Sequence, residues 1–217
     1  MYKEERKEII KSALKLVKYD IVRLSAGNLS IKCGNQGQHI VITPSGMDYE
    51  EINEKDLIVL NMKDKEVVEG FRRPSVDIDA LIHIYENMSE VNAIIHTHQV
   101  YATCLGVVFD KLPSVVTTLA NATGGEVAVA PFSSAASLEM GKETVSNIGD
   151  KKAVVLKNHG VITVGKTMKE ALYSAVYLED AAKVFCIAMT LGKPALLTEE
   201  QTREAAEIFK TYGQEKA

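Results

Sequence analysis

Apolar residues recur at helical spacing through Ile9, Ile10, Ala13, Leu14, Leu16 and Val17, which predicts an amphipathic helix at the start of the chain. The pattern stops before the turn formers Ser25-Ala26-Gly27-Asn28, so this helix feeds a loop. Short β-prone runs follow at Leu29 to Lys32, His39 to Thr43 and Leu57 to Asn61, with the turn-like Thr43-Pro44-Ser45-Gly46 between the last two. Ser75 is the expected N-cap of a helix from about Val76 to Asn87, with Pro74 discouraging helix before it and Asp77 in its first turn.

The run Ala93-Ile94-Ile95-His96-Thr97-His98 reads as a buried strand ending in two histidines, followed by helical spacing through Ala102 and Leu105. Ala153 to Gly160 repeats that grammar with one histidine, His159, and Val161 to Val164 supplies another strand. From Thr167 to about Leu191 the apolar pattern is long and helical, stopped by Gly192 and Pro194, and Thr198-Glu199-Glu200 opens a last helix to about Tyr212. Helices before, between and after short strands indicate a layered α/β chain, and no repeat or linker divides residues 1–217, so a single domain is expected.

Composition narrows the possible partners. The chain has 217 residues, 46% hydrophobic and 25% charged, enough for one sizeable core. A formal charge of -4 without a long basic run argues against nucleic acid and anionic membrane as partners. No apolar run spans a bilayer, and the charged N-terminal pattern lacks the apolar core of a signal peptide, so a cytoplasmic location is expected. Cys33, Cys104 and Cys186 are odd in number and widely spaced, which predicts buried reduced thiols rather than disulfides or a thiolate zinc site.

The histidines carry the candidate chemistry. Side chains two apart on a strand share a face, so His96 and His98 present two imidazoles together, and His159 from the second strand completes a three-ligand set with a position left for substrate. Asp77 is the acid expected near them, since a carboxylate in a first helical turn is favoured by the helix dipole yet can face the sheet. Gly27-Asn28, Ser45-Gly46 and Ser75 lie at element boundaries, where amides and hydroxyls could hold phosphate oxygens.

Taken in order, Gly27-Asn28-Leu29-Ser30, Thr43-Pro44-Ser45-Gly46, Pro74-Ser75-Val76-Asp77, His96-Thr97-His98 and Asn158-His159-Gly160 resemble the class II aldolase and L-ribulose-5-phosphate 4-epimerase family, nearest its fuculose-phosphate aldolase branch. The resemblance covers nearly the whole chain. It implies a three-layer α/β fold with a mostly antiparallel sheet between helical layers, and a homotetramer with active sites between subunits. Zinc, or manganese or cobalt in its place, would be held by His96, His98 and His159 with Asp77 also contacting it. Asp77 would move protons, Gly27, Asn28, Ser45, Gly46 and Ser75 would line a sugar phosphate, and Tyr212 would serve as the acid on the aldehyde side.

The implied reaction is reversible cleavage of a ketose phosphate such as L-fuculose 1-phosphate to dihydroxyacetone phosphate and an aldehyde, through a metal-stabilised enediolate. Departures from the aldolase pattern keep rivals in view. Asp77 stands where the aldolases carry glutamate and the epimerases aspartate; Val76 replaces a second serine, Leu81 a histidine and Thr118 a tyrosine, while Asn121 aligns with the epimerases' aspartate. A sugar-phosphate epimerase, a decarboxylase or dehydratase of the same family, and a non-catalytic scaffold like the adducin head are the alternatives.

Overall fold

The computed structural model describes residues 1–210. Its order is α1 (Lys3–Lys18), β1 (Asn28–Cys33), β2 (His39–Ile42), β3 (Ile58–Asn61), β4 (Val67–Glu69), α2 (Ile78–Asn87), β5 (Ala93–Thr97) and α3 (Val100–Val108), and then β6 (Lys111–Leu112), α4 (Thr117–Thr123) and β7 (Val127–Ala130). The chain continues through α5 (Leu138–Ile148), β8 (Ala153–Leu156), β9 (Gly160–Gly165), α6 (Met168–Leu191) and α7 (Glu199–Lys210). The strands form one nine-stranded sheet in the order β4-β3-β2-β1-β5-β9-β8-β7-β6. Every neighbouring pair is antiparallel except β7 with β8, so the expected α/β class with a mostly antiparallel sheet is what the chain adopts.

Strand alternation separates two helical layers. In β5, Ala93 and Ile95 pack with Ile9, Ala13 and Leu16 of α1 and Met168, Leu172 and Ala175 of α6. Ile94 points the other way, into a cluster with Leu81, Ile84 and Tyr85 of α2 and Met140 and Ile148 of α5. A third cluster joins Ala102 and Leu105 of α3, Leu119 of α4 and Leu178, Ala181 and Phe185 of α6 to Val127, Val155 and Val161 of the sheet. Each fully buried Leu or Ile contributes roughly 1.5–3 kcal/mol of burial free energy, so the sheet is clamped from both faces.

Three expectations need correction. Asp77, not Ser75, is the N-cap of α2, and no side chain caps the helix there. The reason lies in competition: the Ser75 hydroxyl is 3.1 Å from the Asn28 amide, and the Asp77 carboxylate also turns away from the helix end. The strand predicted through His98 ends at Thr97, and the one predicted through His159 ends at Leu156. Of the three free thiols only Cys33 is buried; Cys104 is exposed and Cys186 half-buried. Cys33 is inert at neutral pH, since burial pushes its thiol up to about 12.

Candidate metal centre and active site

His96 owes its position to the same alternation. It lies on the face of β5 shared with Ile94, turned toward α2, and it pairs in register with Asn28 of β1 on one side and Ile162 of β9 on the other. Because Asp77 is the N-cap of that same helix, the carboxylate and the imidazole come to one place. His98 lies just past the strand end, and His159 sits in the turn between β8 and β9, closed by His159 N donating to the Leu156 carbonyl at 3.1 Å. Asn158 takes a left-handed conformation in that turn (φ 56°), which asparagine tolerates better than most residues.

Two glycines make the approach possible. A Cβ at Gly160 would stand 2.4 Å from the Thr97 carbonyl oxygen and 2.8 Å from His98 Cδ2, so β9 can start against the histidines only without a side chain there. A Cβ at Gly27 would stand 2.2 Å from the His96 carbonyl oxygen, and its φ of +98° also suits glycine.

The three imidazoles converge as expected. Their ring centroids are 4.8 Å apart for His96 and His98, 4.9 Å for His96 and His159 and 5.0 Å for His98 and His159. One potential ligand atom from each lies within 4.8 Å of the others. His96 Nδ1 is 2.9 Å from the Val161 carbonyl, which can only accept, so Nδ1 carries the proton and Nε2 presents its lone pair. That Nε2 is 3.1 Å from His98 Nε2, close to the roughly 3.3 Å between two nitrogens bound to one tetrahedral zinc ion at about 2.0–2.1 Å each.

Two further features fit a divalent cation. Burial lowers the pKa of all three histidines, that of His96 to about 4, so near neutral pH the rings are unprotonated as ligands must be. Asp77 opposes that shift at each of the three rings, which records a negative charge close to all of them. In addition, His159 Nδ1 is buried with no hydrogen-bond partner, an unmet need that a metal site explains.

Asp77 stands beside this group rather than within it. One carboxylate oxygen accepts from Asn28 Nδ2 at 2.7 Å and the other from the backbone N–H of Ala136 at 3.0 Å. Asn28 Nδ2 also lies 3.1 Å from the Ser75 hydroxyl, joining Asn28, Ser75 and Asp77 in one buried network. Ser45 and Gly46 are exposed in the turn after β2, tied to the segment before Ser75 by Ser45 N donating to the Arg73 carbonyl at 2.9 Å and Ser75 N to Thr43 at 3.2 Å. The positions expected to line a phosphate thus border the histidine group through Asn28. Tyr212 lies outside the described residues. Sequence reading missed the Ala136 amide and the Val161 carbonyl, because a backbone atom leaves no signal in residue type.

Three converging imidazoles, with His96 buried at their base and a carboxylate at their side, on a mostly antiparallel sheet between helices, define a class II aldolase type of protein. The class II aldolase and adducin N-terminal domain model matches residues 7–186, and the chain belongs to that family. A 5-deoxy-D-ribulose 1-phosphate aldolase of Bacillus thuringiensis serovar kurstaki is 32% identical over 215 residues, covering 99% of this chain and 100% of the relative. An L-fuculose phosphate aldolase of Methanococcus maripaludis is 34% identical over 160 residues, 74% of this chain and 84% of that one. Among solved structures, an L-fuculose 1-phosphate aldolase superposes with a TM-score of 0.90 at 32% identity, over 97% of this chain and 98% of the other. The protein is accordingly an enzyme of the lyase class, from a family that generally depends on divalent metal. No helix among the described residues is long and apolar enough to cross a membrane.

Proposed function

We propose that this enzyme reversibly cleaves a ketose 1-phosphate to dihydroxyacetone phosphate and a short aldehyde, with His96, His98 and His159 holding the divalent ion, zinc or in its place manganese or cobalt. The observation that carries the reading is the convergence of three unprotonated imidazoles beside Asp77. When bound, the cation supplies Lewis-acid stabilisation of the negative charge that builds on the ketone and neighbouring hydroxyl oxygens.

The chain's own groups do the rest. In cleavage the C4 hydroxyl gives up its proton as the C3–C4 bond breaks, the aldehyde leaves, and C3 of the remaining enediolate takes a proton from Asp77. The contacts from Asn28 and Ala136 hold the carboxylate in one orientation for that transfer. Tyr212 is assigned the proton on the aldehyde side. Gly27, Asn28, Ser45, Gly46 and Ser75 bind the phosphoryl group, the amide network orienting Asn28 and the turn at Gly46 offering open space. A homotetramer completing the site between subunits belongs to the same reading. It draws support from the exposed Val184, Ile187 and Leu191, one stripe on α6 that a neighbouring copy would cover.

The test is release of dihydroxyacetone phosphate from 5-deoxyribulose 1-phosphate and L-fuculose 1-phosphate, abolished by chelation and restored by zinc, manganese or cobalt. Asp77 in place of glutamate favours one second reading, epimerisation of L-ribulose 5-phosphate. Epimer formation without release of dihydroxyacetone phosphate would replace the aldolase by that reading.

A further inference from the structure

His96 and His98 are fixed by different means. His96 is buried, and the Val161 carbonyl holds its ring through Nδ1. His98 is exposed, and among the described residues its ring makes one contact of hydrogen-bond length, its Nε2 lying 3.1 Å from His96 Nε2. No carbonyl or carboxylate of the described residues orients the ring from its other nitrogen, so the backbone that carries it must place it.

That backbone runs between two fixed points. On one side Thr97 pairs with Val161 at the end of β5. On the other, Gln99 and the first turn of α3 are tied to α6. Gln99 is the N-cap of α3, yet its buried side chain leaves the helix end uncapped: Oε1 accepts from Thr97 Oγ1 at 2.8 Å, and Nε2 donates to the Ala175 carbonyl at 3.2 Å. The free amides of α3 are taken up instead by Glu179, about one helical turn beyond Ala175 on α6. Its Oε1 accepts from Tyr101 N at 2.8 Å and its Oε2 from Ala102 N at 3.0 Å. Glu179 is only 8% exposed, and burial raises its pKa, a shift that the amides of Tyr101, Ala102 and Val100 oppose. A glutamate is rarely so buried, and the proton transfers described above make no use of it.

We infer that Glu179 is a positioning residue of the metal centre: by holding the first turn of α3 against α6, it sets where His98 stands. His98 lies one residue before the N-cap of α3 and three before Tyr101, so a displacement of that turn is carried directly into its ring. The inference rests on the reading above that His96, His98 and His159 share one cation.

Glu179→Gln keeps the shape of the side chain but offers one acceptor to two amides, its NH2 group facing the other donor. Zinc affinity of the full chain would be measured by competition with a chelator, and the visible absorption of the cobalt-loaded protein, which reports ligand geometry, recorded beside it. Glu179→Gln is expected to weaken zinc about tenfold or more and to change the cobalt spectrum, while Glu179→Asp, with both acceptor oxygens, recovers part of the affinity. Arg6→Ala, which destabilises the fold away from the histidines, should bind zinc as the wild type does. Wild-type zinc affinity and cobalt spectrum in Glu179→Gln overturn the inference, and so does an equal loss of affinity in Arg6→Ala. Should Glu179→Gln not fold, Gln99→Ala cuts the other tie to α6 and is read by the same outcomes. Zinc binding that His98→Ala leaves unchanged overturns the shared-cation reading itself, and the inference with it.

Discussion

Arg6 and His96 are both polar and buried, and their surroundings treat them in opposite ways. Arg6 donates to the carbonyls of Met1 at 3.0 Å, Glu54 at 2.7 Å and Leu57 at 2.6 Å, and to the Glu69 carboxylate at 3.2 Å. This ties α1 to the segment leading into β3 and to β4, with all three guanidinium nitrogens engaged. Around His96 the polar groups are close-set but incompletely paired: His159 Nδ1 and Asn28 Oδ1 are buried without partners. An unpaired buried polar atom costs about 1–3 kcal/mol, a cost that a bound ligand beside His159 and Asn28 would offset. Arg6 is saturated by the fold itself, whereas the histidine group leaves polar atoms for a ligand to complete.

The sharpest way to break this contrast is His96→Ala. It should remove the cation and lower kcat/KM by about a thousandfold or more, roughly 4 kcal/mol of transition-state stabilisation, in the same assay of dihydroxyacetone phosphate release. Asp77→Asn comes next, with a fall in kcat of about a hundredfold and the metal content unchanged, because the amide keeps an acceptor for Asn28 but moves no proton. Retained activity in Asp77→Asn would pass the proton role to another group. At the structural site the outcome should invert: Arg6→Ala leaves the Glu54 and Leu57 carbonyls without a donor and should cost about 2–4 kcal/mol in urea unfolding, with kcat per folded molecule preserved.

Acid gives the smallest effect. Burial holds the folded-state pKa of His96, at about 4, below its unfolded value near 6.5, so the unfolded chain binds more protons in that window. Stability of the metal-free protein is therefore fully present above pH 6.5 and is lost as pH falls toward 4, by about 1–2 kcal/mol between pH 6.5 and 5 for this residue alone. His98 and His159 shift in the same direction and add to it. A melting temperature that rises as the pH falls from 6.5 to 5 would contradict the burial of a neutral His96.

The parts of the fold legible in the sequence were those whose buried faces are large and apolar. Ile9, Ala13 and Leu16 announced α1, and Ile94 and Ile95 announced β5. Between Leu112 and Ala153 the residue pattern predicts no element, and α5 shows why. Its buried face is Met140, Gly141, Thr144 and Ile148, and Gly141 lies so close to α2 that a Cβ there would stand 2.7 Å from the Ala80 carbonyl. Close helix contact through small and polar residues leaves little hydrophobic period to detect. Similarly, α4 has only the seven residues TTLANAT to show, and β4 exposes Val67 and Val68 at the sheet edge.

At the site, histidine spacing carried most of the information. Strand alternation brought His96 and His98 together although His98 lies beyond the strand, which ends at Thr97 two residues before the extended N-cap Gln99 of α3. What spacing did not carry was the support: the Ala136 amide on Asp77 and the Val161 carbonyl on His96 come from segments far along the chain.

Cation stoichiometry tests the shared-site geometry most directly. Protein stripped with chelator and titrated with zinc should take up one tightly held equivalent per chain, and His96→Ala, His98→Ala and His159→Ala should each lose it while remaining folded. A folded His159→Ala protein that still binds one equivalent as tightly as the wild type would show that two imidazoles, or other groups, make the site, and the three-histidine centre would be wrong.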